Sequence, residues 1–484
     1  MVTVFGGTAG QLVTQFLLQV VVARQFGAGP EADAYQAAFL WPMSLGMVIA
    51  GGLTVAYPPA SRRFPEEDRR SRTLLPVVAI TALLMATLLV LIGIVQARPL
   101  LAHTFPGLPK EQLVHVEGLF RILAWNLPLS VLVGLFQAGL HSRLNFVVPA
   151  IGSVVGPGVT LAITALASPQ AGIEALAWGT VAGSLVAVVL QGAVLAVGMS
   201  APGVADFRLW AGPVLRLALP SALSLLVMRV DSVVDGYVLA SDREGCLALW
   251  GYAQRITTPF LMLTSGVLST IAFPRLSLAA TEGHAATAHE FARSLRLSLW
   301  LGLPAVAVVG LFSLPLVRDL FQRGEFTAAN AATVAETVRW LSGIVVGASI
   351  GELCAKTMFA LRESRTPLFI TVVAIAVMST LKLVCVRDGD LSRLALINSG
   401  ISLAVALLYL VLIRRRLGPL VFSGLLAPGG RCLGATVLAV VVGMTVDGTG
   451  MPFSGVAGLF AGFGVYAGAL WLSGEVRRFR EDVK

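Results

Sequence analysis

Ionisable side chains set inside long apolar runs are the residues of this sequence best placed to do chemistry. Arg229, Asp231 and Asp235 fall in the apolar run 210–239, Arg255 in 246–276, Glu352 and Lys356 in 331–361, and Lys382 in 366–386. A charge in hydrocarbon is expensive, so residues of this kind mark substrate or ion paths by default. Arginine offers a planar fork of N–H donors that fits a phosphate, although the same fork also fits a structural ion pair. Asp231 and Asp235 can serve a cation or neutralise Arg229. Glu352 and Lys356 lie one helical turn apart and share a face, where they either line a path or cancel each other, and Glu117 with Arg121 repeats that spacing. Asp33 follows the turn that contains Gly27 and Gly29, where a carboxylate can cap helix amides or shape a gate. Gln11, Thr14, Gln15, Gln19 and Gln254 add neutral hydrogen-bonding groups. No phosphate-cradling loop, HExxH or nucleophile elbow is present and the five histidines are scattered, so no enzyme and no cofactor is expected beyond coupling to a sodium ion or proton.

The elements that must position these residues are membrane helices. The chain has 484 residues, of which 56% are hydrophobic and 13% charged, and its mean hydropathy is +0.83. A water-soluble domain would lack the polar surface to cover such a composition. A membrane helix needs about 20 apolar residues. Runs of that kind are expected at 2–22, 34–58, 73–96, 115–140, 145–167, 173–198, 210–239, 246–276, 290–317, 331–361, 366–386, 391–413, 430–447 and 453–473. The first run reads as a membrane helix, since no basic segment precedes it as in a cleavable signal. Cys246, Cys354, Cys385 and Cys432 show no metal-ligand spacing and read as small hydrophobes.

The net charge of +9 is distributed as a topology signal rather than as a nucleic-acid face. Arg62, Arg63, Arg69, Arg70, Arg72, Arg143, Arg208, Arg275, Arg293, Arg362, Arg365, Arg414, Arg415, Arg416, Arg431, Arg477, Arg478 and Arg480 fall in alternate connectors. The intervening connectors are poorer in Lys and Arg. The positive-inside rule then puts the arginine set and both termini in the cytoplasm. Tyr35, Pro42 and Tyr57-Pro58 have counterparts in Tyr252, Pro259 and Phe273-Pro274, as Phe136-Gln137-Ala138-Gly139 has in Phe359-Ala360-Leu361. Each pair lies six helices apart, which suggests a parallel repeat with a substrate path between the halves.

Four stretches resemble the MurJ (MviN) lipid II flippases of the MOP exporter superfamily. They are Ala23-Arg24-Gln25-Phe26-Gly27-Ala28-Gly29-Pro30-Glu31-Ala32-Asp33-Ala34-Tyr35; Tyr252-Ala253-Gln254-Arg255-Ile256 with Phe273-Pro274-Arg275-Leu276-Ser277; Leu320-Phe321-Gln322-Arg323-Gly324-Glu325-Phe326-Thr327; and Phe359-Ala360-Leu361 with Arg365-Thr366-Pro367. The resemblance implies an all-α polytopic protein of about fourteen membrane helices: a six-helix lobe at 1–203, a second at 204–417, and two helices with a basic cytoplasmic tail at 418–484. It implies a bacterial cytoplasmic-membrane protein that moves a polyprenyl diphosphate-linked saccharide, lipid II or a related envelope precursor, by alternating access. An exporter of organic cations using Asp231 and Asp235, or a transport-inactive scaffold for envelope assembly, are the alternatives. Expected partners are the glycan lipid, membrane lipids and envelope-assembly proteins, with no nucleic acid.

By this resemblance Arg255 matches a cavity arginine; Arg229 is expected either to replace a lost phosphate contact or to be neutralised by Asp231 and Asp235, and Gln15 and Gln254 are expected to face substrate as neutral hydrogen-bonding groups. Asp33, Gly27 and Gly29 match the outer gate, and Lys356 matches a basic position whose neighbour Glu352 stands where a lysine is usual. Asp235 matches an aspartate of a sodium site, but the partner helix offers Ser379, Thr380 and Lys382. Lys382 is therefore expected either to pair with Asp235 in the ion's place or to snorkel to the interface. The first helix departs from the family, since Leu12-Val13-Thr14-Gln15-Phe16-Leu17-Leu18 carries no charge, and so does the second at Leu45-Gly46-Met47 and Gly51. The first lobe thus attracts a diphosphate less strongly than is usual for the family.

Overall fold

A backbone in lipid must satisfy its own hydrogen bonds, and helices do so within one segment. The computed structural model describes residues 2–63, 68–197, 199–240, 244–419, 425–448 and 454–473. Among these residues no strand occurs, and twelve helical spans are long and apolar enough to cross a membrane. The other two expected spans, 2–22 and 246–276, fall on a helix at Val2–Phe26 and on a helical run interrupted by a π-helical turn at Met262–Gly266. Asp242, Arg477, Arg478 and Arg480 lie outside the described residues.

The chain forms two compact units, residues 1–248 with 323–326, and residues 249–322 with 327–484. In the first, α1 (Val2–Phe26) packs on α7 (Val147–Ala171), and α7 on α8 (Glu174–Ala196). Helix α2 (Pro30–Ser61) packs on α5 (Lys110–Leu123), α6 (Asn126–Ser142) and α9 (Val204–Leu239), while α3 (Arg69–Val95) packs on α6 and α9 and continues into the short α4 (Ala97–Thr104). Small residues set the close crossings. Thr160 Oγ1 donates across to the Gly179 carbonyl at 3.0 Å, and a side chain on Gly156 would meet the Gly183 carbonyl at 3.2 Å. Such crossings replace the hydrophobic driving force that lipid does not supply.

In the second unit α10 (Cys246–Leu261) passes through the π turn into α11 (Val267–Glu282). Helices α11 and α12 (His284–Leu311) pack with α14 (Ala328–Ala360), which also packs on α16 (Leu391–Leu417). Helix α15 (Arg365–Cys385) touches the unit lightly, with Pro367, Ile370 and Lys382 its buried residues. The pair α17 (Leu426–Asp447) and α18 (Ser454–Leu472) packs on α12 and on α13 (Ser313–Phe321). The expected span 290–317 is divided at Phe312 into α12 and α13, and 115–140 breaks at Ala124–Trp125 into α5 and α6. Helix starts follow local chemistry: Asp68 caps α3 by accepting from Arg70 N at 2.8 Å, and Asp390 caps α16 by accepting from Arg393 N at 3.0 Å.

One turn recurs in the two units. Helix α6 ends with Leu144 at φ 56° and α14 with Arg362 at φ 60°. In each case the next amide reaches back, Asn145 N to Leu140 O at 2.9 Å and Glu363 N to Met358 O at 2.9 Å. These are six-to-one helix ends closed by residues other than glycine. Cys246, Cys354 and Cys432 are buried, while Cys385 is exposed at the end of α15.

Candidate functional site

Three short backbone segments interlock in the first unit around one carboxylate. Helix α1 ends at Phe26, Gly29 is the extended N-cap residue of α2, and Pro30 occupies its first turn. Gly29 makes no side-chain cap, and Asp33 does not cap its own helix. Asp33, only 3% exposed, instead accepts from Gly245 N through Oδ2 at 2.6 Å and from Ala248 N through Oδ1 at 2.7 Å. It therefore sits over the open amides at the start of α10, where the helix dipole favours negative charge.

The turn beside it admits only glycine. Gly27 has φ 58°, and a side chain there would come within 2.5 Å of the Glu325 carbonyl oxygen. Glu325 N donates to Arg24 O at 3.1 Å. Gly324, also at φ 58°, presses on that same Arg24 carbonyl, and Gly245 presses on Ala28. The end of α1, the segment after α13 and the start of α10 thus meet backbone to backbone. Sequence reasoning singled out Gly27, Gly29 and Asp33 but missed Gly245, Ala248 and Glu325. Adjacency to a glycine in the motif Arg323-Gly324-Glu325-Phe326 was the available signal for the last of these.

The charges of α9 belong to the same unit. Asp235 is 5% exposed, while Arg229 and Asp231 are half-buried earlier in the helix. Gly236 lies against Leu40 of α2 and Phe105, which places this stretch of α9 on the helix that carries Asp33. Gln15 is exposed on α1, among the exposed Leu12, Val13, Phe16 and Leu17.

In the second unit Arg255 is half-buried on α10 and Gln254 exposed. Arg255 is close enough to act electrostatically on Tyr252, whose ring lies 5.2 Å from that of Phe321 at the end of α13. Lys356 Nζ lies 3.5 Å from Glu352 and 5.3 Å from the Phe273 ring centroid, a cation held by a carboxylate and an aromatic face. On α5 Arg121 reaches Glu117 at 2.8 Å. Lys382 has no exposed surface, so its ammonium does not snorkel to interfacial water.

The family pattern assigns to the sodium site, with Asp235, the α15 positions of Ser379, Thr380 and Lys382. Sodium wants several oxygen ligands, as hard cations do. Thr380 Oγ1 donates to its own helix at Ala376 O, 2.8 Å away, and Lys382 contributes a cation. Among the described residues no cluster of three His, Cys, Asp or Glu could hold a metal.

The family model described as lipid II flippase MurJ matches residues 22–460. A probable lipid II flippase MurJ of Rhizobium tropici is 27% identical over 413 residues, covering 79% of this chain and 74% of that protein. The lipid II flippase MurJ of Burkholderia cenocepacia is 26% identical over 395 residues, covering 77% and 75%. Among solved structures, a lipid II flippase MurJ in an inward closed conformation aligns with TM-score 0.81 at 16% identity over 100% of both chains. An inward-facing multidrug resistance MATE transporter of the MOP superfamily aligns with TM-score 0.71 at 18% identity, covering 86% of this chain and 96% of the other. These structural likenesses speak for the fold, and the family model, spanning most of the sequence and both packed units, speaks for descent: the chain belongs to the MurJ lipid II flippase family.

Proposed function

We propose that this protein is a flippase that carries a polyprenyl diphosphate-linked saccharide, lipid II or a related envelope precursor, from the inner to the outer leaflet of a bacterial cytoplasmic membrane. The observation that carries this reading is the family match over residues 22–460, which takes in Asp33, Asp235, Arg255, Lys356 and Lys382. A sugar headgroup on a dianionic diphosphate cannot cross hydrocarbon unaided, because every unpaired polar group would cost several kcal/mol, about 2–7 each for neutral ones alone. A protein path must supply donors while the prenyl tail stays in lipid.

Arg255 is the donor proposed for the diphosphate, its fork able to hold two oxygens at once. Arg229 assists, and Gln15 and Gln254 offer hydrogen bonds to sugar. Asp33 with Gly27 and Gly29 forms the outer gate: the carboxylate clasps the start of α10, and release of its two amide bonds opens the outer end. Lys382 pairs with Asp235 and supplies internally the positive charge that a bound cation would bring. Glu352 and Lys356 form a self-neutralising pair lining the path. The two pseudo-symmetric lobes at 1–203 and 204–417 alternate access, both termini face the cytoplasm, and the protein transports without catalysing a covalent reaction.

The test is translocation by the purified protein in liposomes, read as headgroup accessibility of a labelled polyprenyl diphosphate saccharide. Wild type translocates, and Arg255→Ala loses most of the rate. Efflux of organic cations that is indifferent to Arg255→Ala would favour the exporter, and inactivity of the wild type toward both substrate classes would favour the scaffold.

A further inference from the structure

Arginines crowd one end of the second unit. Arg362 follows the end of α14, Arg365 opens α15, and Arg414, Arg415 and Arg416 lie in the last turn of α16. Two contacts hold these pieces side by side. Arg416 donates to Glu363 at 2.8 Å, and Tyr409 of α16 donates to Pro367 O, in the first turn of α15, at 3.4 Å. Thr366 also donates to Glu363, so this acid is engaged within the cluster. Arg362, Arg365, Arg414 and Arg415 are exposed, and among the described residues no acid pairs with them. The sequence from Gly418 to Arg431 adds no acid.

The turn itself does not call for this charge. Its counterpart in the first unit carries Leu144 at φ 56° where this one carries Arg362 at φ 60°. A left-handed backbone favours glycine and strains any other residue. Arg362 therefore serves neither the backbone nor an ion pair. Apolar side chains continue from the cations along both helices. Leu368, Phe369 and Val372 lie three, four and seven positions after Arg365 and so share its face of α15, and Leu368 and Phe369 are 61% and 70% exposed. On α16 the exposed Leu407, Leu408 and Val411 stand one and two turns before Arg414 and Arg415. Each helix presents cations at its end and hydrocarbon along the adjoining face. That profile matches an amphiphile with an anionic head, whereas a soluble acidic partner would leave Leu368 and Phe369 uncovered.

We propose that this end of the second unit binds an anionic phospholipid. The guanidinium forks of Arg362 and Arg365 hold the headgroup phosphate, as their planar donors suit its oxygens. Arg414 and Arg415 add attraction as juxtamembrane cations do, and the acyl chains lie on Leu368, Phe369 and Val372. The charge pattern assigns this end to the cytoplasmic leaflet. The site is separate from Arg255 and does not depend on which molecule the protein carries.

The experiment titrates the detergent-solubilised full chain with phosphatidylglycerol, and separately with phosphatidylcholine of identical acyl chains, and counts retained lipid by native mass spectrometry. Wild type should retain phosphatidylglycerol about tenfold more tightly, and the combined Arg362→Gln, Arg365→Gln, Arg414→Gln and Arg415→Gln variant should lose that preference. Arg362→Gly alone should lose about fivefold while its thermal midpoint stays near wild type, because glycine suits the left-handed backbone; unfolding then cannot explain the loss, and this variant serves should the combined one not fold. A control with Arg62→Gln, Arg63→Gln, Arg69→Gln and Arg208→Gln removes as many charges from the first unit and should keep the preference. Equal retention of the two lipids by wild type overturns the proposal, and binding of polyglutamate in their place would make the patch a protein surface. An equal loss in the control overturns it too, since net charge alone would then be at work. Loss of phosphatidylglycerol in Arg255→Ala would place the lipid on the substrate path and likewise overturn it.

Discussion

Two backbone amides at the start of α10, Gly245 N and Ala248 N, donate to the one carboxylate of Asp33. Asp33→Ala leaves Gly245 N and Ala248 N without this acceptor, which should cost about 2–6 kcal/mol in total, since each orphaned buried donor costs about 1–3. Thermal unfolding in detergent should place Asp33→Asn between wild type and Asp33→Ala, because the amide retains one acceptor oxygen. Two neighbouring glycines give a sharper contrast. Gly27→Ala forces a side chain into a left-handed backbone and onto the Glu325 carbonyl, and should lose about 1–2 kcal/mol from the backbone alone. Gly29, with φ −93° and room for a side chain that would come no nearer than 3.5 Å to Phe26 O, should tolerate alanine within about 0.5 kcal/mol. Equal losses at both positions would mean that the turn is not interlocked. Asp33 was legible in the sequence because an acid beside a glycine turn has few uses. Its partners were not, because Gly245 and Ala248 lie more than two hundred positions away and present backbone, which leaves no mark on residue type. Lys382 was legible as an unusual charge, but its burial was not, since a lysine near a helix end more often reaches water.

Helices were the most legible elements, because a membrane-spanning run must be apolar whatever it packs against. Their interruptions were not. The break at Ala124–Trp125, the division at Phe312 and the π turn at Met262–Gly266 fall inside continuous apolar stretches, where hydropathy alone does not register a change of direction. The π turn is anchored by side chains. Thr264 Oγ1 donates to its own helix at Phe260 O, 3.0 Å away, and Ser349 of α14 donates to Thr264 Oγ1 at 2.6 Å. Both hydroxyls are buried, so Ser349→Ala should cost about 1 kcal/mol and Ser349→Val somewhat more through crowding. The α17–α18 crossing offers a second test of packing. Gly458 lies against the Gly443 carbonyl and the Phe312 ring, whereas a side chain on Gly464 would meet nothing within 4 Å. Gly458→Val should destabilise by about 1–3 kcal/mol through overpacking, and Gly464→Val should leave the thermal midpoint near wild type. A comparable loss at both positions would argue against the close crossing.

Each packed unit holds part of the machinery that the family reading requires. The first contains the clasp and the α9 acids; the second contains Arg255, the Glu352–Lys356 pair and Lys382. The lobes read from the sequence as 1–203 and 204–417 describe a repeat, whereas the packed units describe contact, and α9 with the segment 323–326 shows why these differ. Helix α9 follows the first six-helix set in sequence yet packs on α2 and α3, and a four-residue segment of the later chain joins the first unit through backbone bonds. Repeat boundaries are written in residue pattern; packing boundaries are written in the current arrangement of helices. Across the whole molecule, the uncharged stretch 12–18 of α1 leaves Arg255 as the principal cation proposed for the substrate.

Binding of a lipid-linked diphosphate, read by native mass spectrometry on the detergent-solubilised protein, tests that assignment most directly. Wild type should retain the polyprenyl diphosphate saccharide and discriminate against its monophosphate. Arg255→Ala should lose about tenfold or more in affinity, the scale of one desolvated charge-assisted fork, and Arg255→Lys should recover only part of it. Undiminished binding by Arg255→Ala, with the same preference for diphosphate over monophosphate, would contradict the account.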